Sequence, residues 1–250
     1  FSLCASGVYV ANDLLDLSND RLHPRKQKRP FASGHIPVAQ GAMLVPLLFI
    51  ASGLLALRVG PAFVDCLILY FLLTWAYTLA LKKIVLVDCL TLASLYTLRI
   101  LAGAAAVSVT LSFWLLAFSI FIFLSLAFVK RYAELMVQAQ AGQTQAHGRG
   151  YHTPDAPLIQ TLGVAAGYAS VLVLALYVHS DAVSVLYVQP ELIWLSIPIL
   201  LFWVSWIWMN AHRGCMHDDP IVFAVQDRAS WLVTLLIGVA FDMASRGIGL

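Results

Sequence analysis

Apolar runs long enough to cross a membrane dominate this chain. A membrane-spanning helix needs about 20 mostly apolar residues, and eight runs approach that length. They cover residues 1–17, 40–58, 62–80, 86–107, 111–129, 158–178, 191–209 and 230–247. Proline stands at the start of several runs, where helices tolerate it, whereas Pro198 lies inside one and is expected to kink it. The pattern predicts an all-α, polytopic transmembrane helix bundle.

The composition supports this prediction and excludes other classes. The chain is 61% hydrophobic and 11% charged, whereas soluble domains are roughly 45–50% apolar and about 25% charged. A net charge of +2 is too small to indicate a nucleic-acid partner. The four cysteines lack metal-ligand spacing, so neither a disulfide framework nor a zinc site is expected. The chain begins with Phe1 inside an apolar run, and we expect it to lack its natural start.

The basic residues separate onto two sides of the predicted bundle. Loops on one side carry twelve lysines and arginines, the other side carries only Arg58 and Arg246, and Arg99 lies inside a span. The excess of positive charge predicts that the first side is cytoplasmic, in an inner (plasma) membrane. The long polar loops predicted at 18–39, 130–157 and 210–229 also fall on this side. We therefore expect a cytoplasmic active face, and not the midplane site typical of a transporter.

Three carboxylates lie where the first span ends. Asp13, Asp16 and Asp20 are spaced i, i+3, i+7, so on a helix they share one face. Carboxylates this close repel one another unless a cation neutralises them, and Mg²⁺ does so while also taking phosphate oxygens of a substrate as ligands. Basic residues suited to the same phosphates follow at Arg21, Arg25, Lys26, Lys28 and Arg29. The pattern favours a magnesium site, and a solvated helix end with alternating charge is the alternative.

A second polar group surrounds the start of the span 86–107. It comprises Tyr77, Lys82, Lys83 and Asp88, with Arg99 about three turns deeper on the same predicted helix. An arginine inside a membrane is costly, so it is functional or paired. A structural role for Arg99, in an Asp–Arg pair or capping carbonyls, stays open. The two lysines are candidate phosphate ligands, with interfacial anchoring as the alternative.

Two further groups follow on the same side. Arg131 and Glu134, next to Lys130, form either an i, i+3 pair or a site for a phosphate and a hydroxyl. The segment from 138 to 152, which contains Arg149, resembles a flexible lid over a polar ligand, or a mobile linker. The segment from 212 to 228 combines histidines with aspartates, among them Asp218. Its spacing fits no standard zinc pattern, so we expect it to hydrogen-bond a sugar or to order the active face.

The run Asn12-Asp13-x-x-Asp16-x-x-x-Asp20 resembles the first aspartate-rich motif of the UbiA superfamily of intramembrane prenyltransferases, and Lys28-Arg29-Pro30 is similar to that family too. The resemblance covers almost the whole chain. It implies one domain over residues 1–250, with the first of nine helices missing, and a cytoplasm-facing cavity where aspartate-bound Mg²⁺ holds a diphosphate leaving group. It implies that the metal ligands are Asp13, Asp16 and Asp20, and that these and Asp88 are catalytic.

The second motif points to one branch of the family. That motif usually has two aspartates four apart, whereas here Asp88 is followed by Leu92. Residues 81–88, 98–103, 130–134 and 212–227 look like decaprenyl-phosphate phosphoribosyltransferases. This resemblance implies phosphoribosyl pyrophosphate as donor and a polyprenyl phosphate in the bilayer as acceptor. The substrate-binding residues predicted on this basis are Asn12, Lys28, Arg29, Tyr77, Lys82, Lys83, Arg99, Lys130, Arg131, Glu134, Arg149 and Asp218.

Three functions remain open from the sequence. The leading one is Mg²⁺-dependent phosphoribosyl transfer to a polyprenyl phosphate. The second, on the same fold, is transfer of an isoprenoid from a prenyl diphosphate to an aromatic or other small acceptor. The third is a transporter or lipid-binding protein without chemistry, which does not require three carboxylates on one face. For either transferase we expect Asp13, Asp16, Asp20 and Asp88 to converge on one cavity.

Overall fold

The computed structural model describes residues 1–22, 26–142, 144, 149–180, 183, 186–216 and 219–247, with only the backbone described for Asn19, Leu22 and Lys26. Of the described residues, 82% are helical and none forms a strand. The all-α prediction is therefore confirmed. Asp218, predicted from the sequence as a substrate ligand, lies outside the described residues.

The α-helices bounded within the described residues follow the apolar runs. They are α1 Ser2–Leu15, α2 Leu17–Leu22, α3 Val38–Val59, α4 Pro61–Leu79, α5 Val87–Ala106, α6 Phe113–Gln140, α7 Ala156–Val178, α8 Ser196–His212, α9 Pro220–Gln226 and α10 Arg228–Arg246. Short 3₁₀ turns occupy Lys26–Lys28, Leu81–Lys83, Thr153–Asp155 and Pro190–Leu195. Within the described residues, seven helices are long and apolar enough to cross a membrane. Helix α1, with 14 residues, is shorter than the roughly 20 that a span needs.

Two helix ends differ from the prediction. Helix α6 continues for 28 residues to Gln140, although its apolar run stops at Val129. The residues beyond Val129 include alanine, glutamate, leucine and glutamine, which favour helix although they are not all apolar. The predicted loop at 130–157 is therefore wrong over its first third. Helix α8 begins at Ser196, so Pro198 lies in the first turn, where its missing N–H has no intrahelical partner and gives no reason for a kink.

Polar side chains cap the starts of helices α6 and α9. The Ser112 hydroxyl accepts a hydrogen bond from the Leu115 N–H at 3.1 Å. The Asp219 carboxylate accepts one from Ile221 N–H at 3.0 Å. These caps satisfy backbone donors that the first turn of a helix leaves free. Asp219 lies in the segment predicted to bind a sugar, and the structure gives it this capping role.

The chain divides into two compact units, the first formed by residues 1–82 and 98–110. In this unit α1 packs against α3 and α4. Cys4, Val8 and Ala11 form the buried side of α1, at the spacing of one helix face. A Cβ atom on Gly7 would lie 2.8 Å from the Phe49 ring, so glycine at this position allows α1 and α3 to approach closely.

The second unit comprises residues 83–97 and 111–250. Its core lies where α7 packs against α6 and α8. A Cβ atom on Gly163 would lie 2.2 Å from the Trp208 ring and 2.7 Å from the Phe128 Cβ. The Ser125 hydroxyl donates a 2.7 Å hydrogen bond to the Gly163 carbonyl. Small residues at helix contacts, with hydroxyls bonded across them, are typical of helix packing in membranes.

Candidate functional site

The aspartate-rich motif lies at a break between two helices of the first unit. Helix α1 ends at Leu15 and α2 begins at Leu17, so the motif does not lie on one uninterrupted helix. Helical hydrogen bonds nevertheless span the break. Asp16 N–H donates to the Asn12 carbonyl at 2.9 Å, and Asp20 N–H donates to the Asp16 carbonyl at 2.8 Å. Residues 12–20 therefore keep nearly helical winding.

Asp13 and Asp20 converge on a single positive group. Nη1 of Arg29 lies 2.8 Å from Asp13 Oδ1 and 2.8 Å from Asp20 Oδ2. The Asp20 side chain is 3% exposed and that of Asp13 is 26% exposed. Because both oxygens contact one nitrogen, they are separated by at most twice that distance. The two carboxylates thus define one position for a cation, which Arg29 occupies.

Asp16 has a different partner, since its Oδ2 lies 3.6 Å from Lys82 Nζ. Within the part of the chain that the structure describes, no three acidic, histidine or cysteine side chains are grouped closely enough to hold a metal ion. The three predicted ligands are therefore not gathered around one point. The Asp13–Asp20 pair by itself still fits Mg²⁺, which proteins usually bind through one or two carboxylates together with phosphates of the substrate.

The other predicted ligands of the first unit differ in their exposure and in their partners. Asn12 and Tyr77 are half-buried, and Lys28 is exposed. Arg99 has Tyr70 as a partner, with Nη2 donating to the phenol oxygen at 3.2 Å and the guanidinium 5.7 Å from the ring centroid. This contact favours a structural role for Arg99, through an aromatic partner that the sequence did not indicate.

A buried ion network lies in the second unit. Nη2 of Arg131 is 2.6 Å from Asp88 Oδ2, and neither side chain has any exposed surface. Arg131 also pairs with Glu134, which confirms the i, i+3 pair considered from the sequence. Arg149 lies near both carboxylates, 3.4 Å from Asp88 Oδ2 and 3.6 Å from Glu134 Oε2. Two positive and two negative side chains thus balance one another.

Tyr151 completes the network and was not predicted as a site residue. Its hydroxyl donates to Asp88 Oδ1 at 2.5 Å and accepts from Leu86 N–H at 2.8 Å. The Arg131 guanidinium lies 5.3 Å from the centre of its ring. Burial, and then the hydrogen bond to Asp88, raises the pKa of Tyr151 well above its ordinary value. The phenol therefore stays neutral and serves as a hydrogen-bond donor at physiological pH.

The same contacts correct the prediction of a flexible lid around Arg149. Tyr151 is fully buried, and a Cβ atom on Gly150 would lie 2.6 Å from the Lys83 carbonyl oxygen. Residues 149–151 are therefore fastened to the segment that precedes α5. Residues 143 and 145–148 of the predicted lid lie outside the described residues. Since Arg131 has no exposed surface, its predicted contact with a phosphate requires this network to open.

Lys130 and Asp219 form another ion pair of the second unit, at 2.7 Å. They lie at an apolar crevice whose walls include Leu92, Tyr96 and Phe123. Lys83 is exposed and has no side-chain partner among the described residues. The acidic motif and the Asp88 network lie in different units, and their predicted convergence on one cavity stays a prediction.

The apolar helices indicate a membrane-embedded protein that carries the acidic and basic clusters described above. A profile of the UbiA prenyltransferase family matches residues 1–223, and the chain therefore belongs to this family. Together with the seven apolar helices found among the described residues, this makes it a multi-pass membrane protein and a UbiA-family transferase.

Three relatives illustrate its similarities. The chain is 37% identical over 246 residues to the uncharacterized protein y4nM of Sinorhizobium fredii. The match covers 98% of this chain but 48% of that protein, so the chain spans about half the length of this relative. It is 35% identical over 251 residues to the nodulation protein NoeC of Azorhizobium caulinodans, covering 98% of this chain and 81% of the relative. It is 29% identical over 248 residues to a decaprenyl-phosphate phosphoribosyltransferase of Mycobacterium tuberculosis, and the match covers 96% of this chain and 80% of the relative.

Proposed function

We propose that this protein transfers a phosphoribosyl group from phosphoribosyl pyrophosphate to a polyprenyl phosphate and releases diphosphate, in a reaction that depends on Mg²⁺. The observation that carries the proposal is the convergence of Asp13 and Asp20 on one cation position. Asp16 belongs to the same motif, and its carboxylate contacts Lys82. The mycobacterial relative named a decaprenyl-phosphate phosphoribosyltransferase supports this choice of substrates at 29% identity.

In this proposal the acidic motif binds the metal and the basic side chains bind the donor. Asp13 and Asp20 would hold Mg²⁺, which when bound neutralises the charge that develops on the departing diphosphate. The ammonium group of Lys82, which lies beside the motif through its contact with Asp16, would contact phosphate oxygens. Lys28, next to Arg29 in sequence, is exposed. It can reach an anionic ligand without leaving a partner among the described residues.

The proposed reaction exchanges one carbon–oxygen bond for another at the anomeric carbon of the ribose. The bond to the diphosphate oxygen breaks with its electron pair, and an oxygen of the lipid phosphate forms the new bond. Because the lipid phosphate is already an anion at neutral pH, it needs no general base to attack. The apolar spans, of which only 11–33% is buried within the protein, offer ample surface for a polyprenyl chain.

The choice of a phosphoribosyl donor is supported by the second motif. Leu92 stands where a second aspartate of a prenyl-diphosphate site would be, and it lines an apolar crevice. The one carboxylate of this motif, Asp88, is occupied by Arg131 and Tyr151. In our proposal Asp88 is a positioning residue that holds Arg149 and Tyr151, while the carboxylates of the first motif bind the metal.

Prenyl transfer to an aromatic or other small acceptor is the second candidate. The specific observation in its favour is the match over residues 1–223 to a family described as prenyltransferases. The two candidates require different donors. Both would use the Asp13–Asp20 pair in the same way, so mutation of that pair does not distinguish them.

A donor comparison tests the proposal directly. The purified full-length protein, in lipid nanodiscs with Mg²⁺, is incubated with polyprenyl phosphate and labelled phosphoribosyl pyrophosphate, and in parallel with labelled geranyl diphosphate and an aromatic acceptor. We expect labelled lipid only in the first reaction, and greater thermal stabilisation by phosphoribosyl pyrophosphate than by geranyl diphosphate. The opposite ranking would favour prenyl transfer.

The same assay gives a prediction for the acidic motif. Asp13→Asn should reduce turnover by two or more orders of magnitude, since charge stabilisation by a lost ligand is worth roughly 100–1,000-fold in rate. Asp65→Asn is the matched control, because Asp65 is an exposed aspartate of α4 outside the motif. Near-normal turnover of Asp13→Asn, or turnover without added Mg²⁺, would contradict the proposed metal site.

A further inference from the structure

Arg29 occupies the position where the proposed metal would be held. Its Nη1 is 2.8 Å from one oxygen of each carboxylate. Asp20 is almost fully buried, with its side chain 3% exposed, and among the described side chains Arg29 is its ion-pair partner. A buried carboxylate that loses its cation is strongly destabilised. Arg29 can therefore leave Asp20 only if another cation takes its place.

The backbone of Arg29 is held in place while its side chain ends near solvent. Phe31 is buried, and its ring fills the space beside Gly41, where a Cβ atom would lie 2.7 Å away. Ser33 N–H donates to the Arg29 carbonyl at 2.9 Å. The Arg29 side chain is 37% exposed, so a rotation of that side chain, without movement of the segment, can take the guanidinium from the carboxylates to the solvent side.

We propose that Arg29 is an internal counter-ion that a divalent metal replaces, and that the released guanidinium then binds the diphosphate of the donor. The charges favour exchange over coexistence. Asp13 and Asp20 carry two negative charges, which one divalent ion balances, whereas a guanidinium left beside that ion would repel it. An arriving diphosphate supplies the anion that Arg29 has lost, in the bidentate geometry that guanidinium groups prefer.

This exchange makes metal and diphosphate binding cooperative. Metal alone must displace Arg29 into solvent, whereas metal with diphosphate gives Arg29 a new partner. By linkage, diphosphate should tighten metal binding by the same factor as metal tightens diphosphate binding, and such couplings are typically 5–150-fold. The inference rests on the metal–diphosphate site of the proposed function and is independent of whether the donor carries a ribose or an isoprenoid.

The test measures binding, without turnover. Full-length protein in phosphatidylcholine nanodiscs is titrated with Mn²⁺, followed by electron paramagnetic resonance, with and without inorganic diphosphate, and the formation of Mn²⁺–diphosphate in buffer is subtracted. For the wild type we expect at least a fivefold gain in Mn²⁺ affinity with diphosphate. For Arg29→Gln we expect Mn²⁺ alone to bind several-fold more tightly than to the wild type. The gain in Mn²⁺ affinity caused by diphosphate should fall towards onefold.

Two variants complete the design. Arg58→Gln removes the same charge from an exposed position at the end of α3 and should behave as the wild type. Asp13→Asn should abolish the tight Mn²⁺ site. If Arg29→Gln fails to fold, Arg29→Lys is used instead. Diphosphate should then raise the Mn²⁺ affinity by more than onefold but by less than in the wild type, because an ammonium group cannot form the bidentate contact of a guanidinium with a phosphate.

Each failure has a distinct meaning. If Asp13→Asn leaves Mn²⁺ binding unchanged, or the wild type binds none, the metal site of the proposed function is overturned and the exchange with it. If the wild type binds Mn²⁺ at Asp13 but Arg29→Gln binds Mn²⁺ alone no more tightly, Arg29 bridges the carboxylates permanently and only the exchange is overturned. A wild type without coupling to diphosphate overturns the exchange as well.

Discussion

Asp88 and Arg131 are charged residues with no exposed surface, and each depends on the other. The Asp88 carboxylate faces the Arg131 guanidinium through one oxygen, at 2.6 Å, and the Tyr151 hydroxyl through the other, at 2.5 Å. Removing one partner from a buried pair leaves the other charge uncompensated, which typically costs about 3–5 kcal/mol. A pair between exposed side chains is worth about 0–1 kcal/mol.

This difference gives a prediction with a matched control. Asp88→Ala should lower the free energy of unfolding by about 3–5 kcal/mol, seen as a large fall in the thermal midpoint of the protein in nanodiscs. Asp242→Ala removes an aspartate from the exposed pair with Arg246, which has a 2.8 Å contact, and should change the midpoint little. If the two substitutions have equal effects, the network does not hold the second unit together.

The residue types of the site could be predicted, and their partners could not. The i, i+3, i+7 spacing of acidic residues is local, so Asp13, Asp16 and Asp20 stand out in the sequence. Tyr151 reaches Asp88 across 63 positions, and Lys130 reaches Asp219 across 89. Such pairings depend on how helices pack, for which no periodicity exists in the chain. For the Tyr151–Asp88 contact, the signal available in the sequence was a tyrosine next to Gly150 in an otherwise polar segment.

At the scale of helices, hydropathy located the elements better than their ends. Burial or lipid contact favours a helix wherever about 20 apolar residues occur together, which explains why seven runs predicted as spans correspond to long helices. Helix propensity and capping decide the ends instead. They extend α6 through polar residues to Gln140 and start α9 at the residue after the Asp219 cap.

The packing of α7 against α6 and α8 gives a prediction at this scale. Gly163→Ala places a methyl group 2.2 Å from the Trp208 ring and 2.7 Å from Phe128 Cβ, so these side chains must move. Overpacking of this kind typically costs about 1–3 kcal/mol. Gly238→Ala is the control, because no atom lies within 4 Å of its added Cβ. It should be neutral or stabilising, since alanine favours helix over glycine.

Thermal unfolding of both alanine variants in nanodiscs checks this expectation. The thermal midpoint of Gly163→Ala should fall below that of the wild type, and the midpoint of Gly238→Ala should not. A fall of equal size in both variants would indicate that glycine is needed generally in these helices and that the close approach at Gly163 is not responsible.

At the scale of the whole molecule, composition predicts a membrane protein and charge asymmetry predicts its orientation. The hydrophobic fraction of 61% is sufficient to predict a membrane protein, and the family match agrees. Twelve of the lysines and arginines fall on one predicted side and two on the other. This asymmetry predicts orientation because positively charged loops stay in the cytoplasm during insertion. It cannot indicate which basic residues bind substrates, since ion pairs such as Arg131–Asp88 satisfy some of them internally.

The orientation can be tested with the cysteines that the protein already has. Cys215 is exposed, Cys4 and Cys89 are buried, and Cys66 is intermediate. Cys215 follows α8, and the exposed His179 follows α7. One span, Pro190–His212, separates the two positions. We predict that a membrane-impermeant maleimide labels Cys215 in inside-out vesicles and not in right-side-out vesicles. In a Cys215→Ser background, His179→Cys should be labelled only in right-side-out vesicles. Labelling of both positions from the same side would contradict the span between them, and the reversed pattern would move the acidic motif to the outer face.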